Sequence, residues 1–451
     1  MKSLLFRARP LRTLQVICGL AVFGLAGARP AGSGAVPGTV IYPTGAFPLD
    51  VQNVQAAVDG GGTVILKATD TAGQPTAFNF GPPSLAGGHA ELTTDVTILG
   101  ERVGQFMTTI TGGFTPFLDF EPVHVHIEGI DFEGPLDTPI ALVSSTGAEI
   151  VGNVIRGNVP LPLFFGFSEV EGVFVSGFDN PITGRIKIAG NLIEVSAGDF
   201  VNGMQFDEVS ADIEVSGNTL NFLQSTGVVQ TFGILALRSH GKVDIVNNAV
   251  TMGPGDPDAF PVGIIVGSHP EARYTIAGND ITTNHPNADG IDVIGLRSFG
   301  GPTHAARILN NHILMHSQIP TSGGIALFGA VDDSIVSSNT IEGTNGNAIQ
   351  ILGQNGTRVA DSNKTLGNDV SQGLPIVSDI WLGPFSTNNL VAGQCATYLD
   401  QGVGNRITCG TEVSSFGATT QASGPSASKP ERRPLDIQRA ILDMLQSRRI
   451  R

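Results

Sequence analysis

The chain has 451 residues, of which 59 are glycine and 27 proline, with charged residues at 14% and apolar residues at 41%. Glycine stands at roughly twice its ordinary usage and charge well below the usual quarter, which excludes a disordered chain and argues against a mainly helical one, whose exposed faces need Lys, Arg and Glu. The net charge of −15, with no Lys/Arg cluster in the body of the chain, makes nucleic acid and anionic membrane poor partners and repels an unassisted polyanion such as pectate, whereas a neutral glycan meets no such penalty.

At the N-terminus Lys2, Arg7, Arg9 and Arg12 precede an apolar run from Leu14 to Leu25 and the small residues Ala26-Gly27-Ala28. This is the order of a secretory signal, assigned to residues 1–28. The run is shorter than the roughly 20 residues that cross a bilayer, so a cleaved leader fits better than a retained anchor. The mature protein is therefore expected to be secreted, periplasmic or on the cell surface, with no membrane span once the signal is removed. Residues 49–59 then read as a short helix with Asp50 as N-cap, Val51, Val54 and Val58 on one face and Gly60-Gly61-Gly62 as its stop, followed directly by the strand Thr63–Leu66.

From there the chain repeats with a period near 30 residues. A small residue, Asn, any residue and an aliphatic one recur around Asn153, Asn191, Asn218, Asn248, Asn279, Asn311 and Asn339, at intervals of 38, 27, 30, 31, 32 and 28. A glycine opening an apolar strand recurs in phase at Gly203, Gly233, Gly263, Gly290 and Gly324. Aliphatic residues three before and two after each asparagine alternate as in a strand. A strand that returns beside its own previous copy builds a parallel sheet that winds into a solenoid, each turn advancing by about 4.8 Å. The asparagines then stack at one corner, where amides can form a ladder. A propeller or sandwich would need two-residue hairpin turns, which this spacing does not show.

These repeats, the helix before Gly60-Gly61-Gly62 and the rung Val125–Phe132 resemble the right-handed parallel β-helix superfamily of pectate lyases, polygalacturonases and NosD-like periplasmic proteins. The predicted fold is all-β: a single-stranded right-handed parallel β-helix over 36–410 with an N-terminal capping helix. Asn388-Asn389-Leu390-Val391 and Gly404-Asn405-Arg406-Ile407 read as the same turn in shortened coils.

The resemblance implies specific catalytic motifs. Polygalacturonase-like enzymes carry Asn-Thr-Asp, Asp-Asp, Gly-His-Gly and Arg-Ile-Lys on successive coils. Here Asn287-Ala288-Asp289-Gly290-Ile291-Asp292 is similar to the first, but the next coil offers Ser322-Gly323-Gly324, Asn347 stands where histidine belongs, and Arg185-Ile186-Lys187 comes several coils too early. An inverting hydrolase needs two carboxylates, and this alignment supplies at most one. Asp289 and Asp292 read first as a turn residue and an exposed strand residue. The resemblance to pectate lyases implies an arginine base beside a calcium site of stacked carboxylates. The segment after each strand does supply Glu208, Arg238, His240, His269, Asp292 and Arg297 in register. With Asp289, these are the candidate substrate-binding or catalytic residues. The nine histidines show no metal-ligand spacing; no metal or cofactor is expected from the residues themselves, and calcium enters only through the lyase resemblance. Residues 251–262 and 296–306 lengthen their coils, either for recognition or to cover Leu235 and Ile265, which alternation points outward.

Toward the end, Cys395 and Cys409 either form a bridge or remain two thiols. Residues 411–430, rich in Ser, Thr, Gly and Ala, read as a flexible linker. Residues 431–451 read as a C-terminal amphipathic helix with Ile437, Ala440, Ile441, Met444 and Leu445 on one face, either folded back on the body or docking a protein partner. Two functions fit these features: an exported β-helix that binds polysaccharide or cell-envelope glycan along its length, with or without lyase or hydrolase activity, or a non-enzymatic surface scaffold whose C-terminal helix docks a partner.

Overall fold

The computed structural model describes residues 38–412, apart from 157–158, 163–167, 178–180, 196–198, 223–229, 255–258, 297–299, 321 and 357. The signal segment 1–28, most of the linker and the C-terminal helix lie outside the described residues. Within them the chain is a right-handed parallel β-helix. The long sheet pairs along three faces, beside a separate four-stranded parallel sheet of two-residue strands. The first sheet stacks Val64, Ile98, Ile127, Ile150, Ile188, Val215 and Ile245 over one another and continues through Ile276, Ile308 and Val336. The second stacks Ile155, Ile193, Leu220, Val250, Ile281 and Ile313. The third stacks Met204, Ile234, Ile264, Ile291, Ile325 and Ile349. These inward columns are fully buried and form one continuous core, because the period-2 alternation of each strand puts one residue in two inside on every turn. Among the described residues no helix is long and apolar enough to cross a membrane.

The corner between the first and second sheets is held by side-chain amides. From Asn191 onward each ladder asparagine accepts, at Oδ1, the backbone N–H and the side-chain amide of the asparagine one coil earlier, while Asn153 Oδ1 accepts the Ile130 backbone N–H at 3.0 Å. Asn218 N and Nδ2 donate to Asn248 Oδ1 at 3.0 and 2.9 Å, and Asn248 N and Nδ2 donate to Asn279 Oδ1 at 2.9 and 3.0 Å. The second amide hydrogen goes to a buried carbonyl of the previous coil, as in Asn279 Nδ2 to Ile245 O at 2.9 Å. The residue before each asparagine, Gly217, Asn247 or Gly278, has φ of 63, 55 or 64°, the left-handed conformation that glycine and asparagine tolerate best. The motif is thus a left-handed residue followed by an amide that caps the turn.

The ladder extends one coil beyond Asn339, to Asn368, whose Oδ1 accepts the Asn339 backbone N–H at 3.0 Å. The shortened turns do not continue it. Asn363, Asn389 and Asn405 form a second ladder, with Ser334 N donating to Asn363 Oδ1 at 3.0 Å, Asn363 N to Asn389 Oδ1 at 2.9 Å and Asn389 N to Asn405 Oδ1 at 3.0 Å. It lies at the opposite end of the first-sheet strands, since Asn363 and Asn389 precede Lys364 and Leu390, which pair in register.

The in-phase glycines have a different cause. A Cβ on Gly263 would lie 2.7 Å from the Gly290 carbonyl oxygen and 2.7 Å from Ile281 Cγ2; successive backbones approach too closely there for any side chain. At the N-terminal end the helix spans Leu49–Asp59. Asp50 is not its N-cap, a position held by Pro48. The buried Asp50 carboxylate instead accepts Thr44 N at 2.7 Å, Thr44 Oγ1 at 2.8 Å and Asn79 N at 2.8 Å, tying the helix to the segments around it. At the other end Cys395 and Cys409 are joined in a disulfide, closing a loop that contributes about 3 kcal/mol by chain entropy.

Asn279→Ala removes one acceptor and two donated bonds from a buried corner: the Asn248 backbone N–H and one Asn248 side-chain amide hydrogen lose their acceptor, and the Ile245 carbonyl loses its amide donor. The expected loss is about 3 kcal/mol or more, read as a lowered urea midpoint with unchanged slope, whereas an alanine at exposed Asp280 should change little.

Candidate functional site

The outer side of the third sheet carries the chemistry. Its strands break alternation at the glycine column, so residues on both sides of each glycine reach the outer side. One outward column runs Asn202, Phe232, Val262 and Asp289. The next runs Gln205, Leu235, Ile265, Asp292, Ala326, Gln350 and Trp381 on consecutive coils.

The middle of this face is sealed. Leu235 and Ile265 do point outward, yet they are 1% and 0% exposed. With Phe200, Phe232, Leu237, Val262, Ile294 and Leu296 they form an apolar cluster distinct from the core, with Phe260 and Phe328 packed against it. Phe260 and Leu296 come from the two long insertions, whose described parts serve as cover.

One coil after Ile265, on the strand that also carries Ile294, lie Asp289 and Asp292. They are 5% and 6% exposed, so Asp292 is not the exposed strand residue that alternation predicts, and its column neighbour Ile265 belongs to the apolar cluster. Asp289 Oδ1 accepts the Gly323 backbone N–H at 2.5 Å. Among the described residues Asp292 Oδ1 is buried without a hydrogen-bond partner. Burial, and then the neighbouring Asp292 carboxyl, push Asp289 well above the usual carboxylate range; burial pushes Asp292 up to about 7. Two adjacent carboxyls out of water cannot both ionise cheaply, so near neutrality the pair retains a proton. Further along the same face stand Gln350 and then Trp381, whose Nε1 donates to Gln401 Oε1 at 3.2 Å. Three strand spacings separate Asp292 from Trp381, about 14 Å.

The other candidates gather at the corner after the third sheet. Glu208 and Arg238 occupy equivalent turn positions with φ of 54 and 56°. Arg238 donates from Nε and Nη2 to Asp207 Oδ1 at 3.0 and 2.7 Å, and Nη1 lies 2.8 Å from Glu208 Oε1. His240 and His269 stack with ring centroids 3.9 Å apart and planes at 21°. Burial, then the His240 charge, lowers the His269 pKa. Arg297 lies outside the described residues. The structure therefore groups the candidates into a Glu208–Arg238 ion pair, a His240–His269 stack and an Asp289–Asp292 pair, and among the described residues no hydrogen bond or ion pair joins one group to another.

Arg238 is held by two carboxylates, one of them bidentate, which fixes the turn and leaves its guanidinium unsuited to act as a free base. The same engagement uses Asp207 and Glu208, and among the described residues no group of three or more His, Cys, Asp or Glu side chains is placed to hold a metal ion. The described carboxylates of this corner, engaged by Arg238, do not make a stacked-carboxylate site of the lyase type. Asp207, Gln350 and Trp381 escaped the sequence reading. Asp207 directly precedes Glu208, but its role depends on Arg238 being stacked one coil later; Gln350 and Trp381 become visible only when the register carries Asp292 three coils forward.

Asp292 ionises near 4 in the unfolded chain but at about 7 in the fold. Its penalty is absent below pH 4, grows as pH climbs toward 7 and then levels off. Asp292→Asn should flatten that decline and be more stable than the wild type at pH 8 by on the order of 2 kcal/mol, checked by urea unfolding from pH 4 to 8; an unchanged pH slope would contradict the burial of this carboxyl.

No protein-family model matches the chain, and no curated protein matches it in sequence. Among solved structures, it is similar to a PL6 alginate lyase in complex with trisaccharide, at 12% identity over 84% of this chain and 88% of that one, with a TM-score of 0.45. It is also similar to the A-module of a mannuronan C-5 epimerase from Azotobacter vinelandii, at 15% identity over 81% and 95%, with a TM-score of 0.32. Both likenesses concern fold only, and it is the in-register parallel pairing from coil to coil, together with the stacked asparagines, that makes this chain a right-handed parallel β-helix.

Proposed function

We propose that this protein is exported and binds a neutral polysaccharide lengthwise on the outer face of the third sheet, with Asp289 and Asp292 supplying acid–base chemistry to it. The observation that carries this reading is the buried carboxyl pair, set in one strand and succeeded on later coils by Gln350 and Trp381. A carboxyl that keeps its proton near neutrality beside one that ionises is the arrangement a general acid and general base require. An amide and an indole further along the same column suit a sugar polymer, through hydrogen bonds to hydroxyls and stacking on the ring face. A uronate polymer is disfavoured because Arg238, at the corner after this sheet, is already neutralised by two carboxylates.

The scaffold reading rests on a different observation. The apolar cluster seals the central coils of this face, and the carboxyl pair is nearly enclosed with it, as a purely structural repeat would be. A glycan array and product analysis, with and without calcium, separate the two. The enzyme reading expects binding of a neutral glycan, about tenfold weaker binding for Trp381→Ala, and loss of product but not of binding for Asp289→Asn or Asp292→Asn. Absence of binding to any glycan supports the scaffold; binding with product formation unaffected by both aspartate variants removes the carboxyl pair from the chemistry.

A further inference from the structure

The C-terminal end of the solenoid presents a bare apolar edge. The strand Gly373–Leu382 pairs along its first half with Gly343–Asn345 of the preceding coil. On its other side, pairing among the described residues begins only at Ile380, opposite Tyr398. Before Ile380 on that strand, Leu374 is 69% and Ile376 43% exposed. An uncovered strand edge with outward apolar side chains is a pairing and aggregation hazard that folded proteins cover.

Three facts point to the chain's own tail as the cover. The last described strand, Thr411–Glu412, pairs with Thr397–Tyr398, next to Ile380, which places Glu412 within about 20 Å of Ile376 by strand geometry. The 21 residues from Val413 to Arg433 reach about 25 Å as a flexible linker, enough to bring residues 434–449 onto the edge. The charges are complementary as well: residues 413–451 hold seven Lys and Arg against three Asp and Glu, so with the whole chain at −15 the remaining 412 residues carry −19. Glu342 and Asp369 lie beside the edge in the register.

We propose that residues 434–449 form an amphipathic helix that lays Ile437, Ile441 and Leu445 against the edge strand at 373–377 and caps the C-terminal end of the β-helix. The tail then does for this end what the helix Leu49–Asp59 does for the other, and the basic residues around its apolar stripe hold it to an acidic body through contacts that salt weakens.

Hydrogen exchange of the intact chain tests this, comparing the wild type with Ile441→Asp/Leu445→Asp in the tail and, separately, with Leu374→Asp/Ile376→Asp on the edge. Both edge residues are exposed, so their replacement leaves the core intact. The proposal expects the amides of Leu374, Ile376 and Val377 to exchange at least tenfold faster in the tail variant, and residues 437–445 to lose protection when the edge is changed. Equal exchange in all three proteins overturns it. Edge protection that depends on protein concentration, with a doubled mass in sedimentation, overturns it in favour of a second copy on the edge, and a tail protected regardless of the edge residues overturns it in favour of another docking surface.

Discussion

The whole structure depends on satisfying backbone groups at a corner that is repeated every coil and buried each time. A turn inside a solenoid has no water to bond with, and an unpaired buried N–H costs as much as a lost hydrogen bond. The asparagine ladder meets this demand locally, because one amide, as at Asn248, accepts two hydrogens from the coil before it and donates one to a carbonyl of that coil. Since every member of the ladder is both recipient and donor, the corner tolerates coils of different length but not a change of residue at the stacked position. That is why intervals between successive asparagines vary from 27 to 38 while the hydrogen-bond pattern does not.

With the corners held, the length of each coil is free to vary elsewhere, and it does so around the third sheet. The glycine column there lets backbones approach closely and disrupts alternation, so the outer face receives two side-chain columns from each strand. Their composition changes along the axis, from amides at Asn202 and Gln205, through the apolar cluster around Leu235 and Ile265, to the carboxyls Asp289 and Asp292 and on to Gln350 and Trp381. The inward columns stay aliphatic throughout. The fold therefore separates two duties: the inside is uniform because each coil must fit the next, and the outside is free to differ from coil to coil.

Burial gives the outer face its chemistry. Neither carboxyl of the Asp289 and Asp292 pair has a cation beside it among the described residues, so desolvation dominates and raises both. Arg238 shows the opposite outcome of the same rule, since its guanidinium sits between Asp207 and Glu208 and the charges compensate in place. Of the two clusters, only the uncompensated one holds a mobile proton near neutrality, which is why the functional reading rests on the carboxyl pair and not on the arginine clamp.

The repeat period, the stacking asparagines, the inward aliphatics, the N-terminal helix and the outward direction of Leu235 and Ile265 were all legible in the sequence, because each is a local spacing that a strand or helix converts directly into a face. The next ladder member, Asn368, carries the same pattern in Gly367-Asn368-Asp369-Val370 but was not among the repeats read from the sequence, and assigning Asn389 and Asn405 to a second corner required the register. What only tertiary structure decided was environment. Asp292 sits at an outward position by periodicity, and nothing in its neighbours along the chain shows that it is buried; Arg238 and Asp207 are 31 residues apart and meet only because the chain winds. Periodicity determines which way a side chain points, but burial and charge pairing depend on what the other coils bring to the same place.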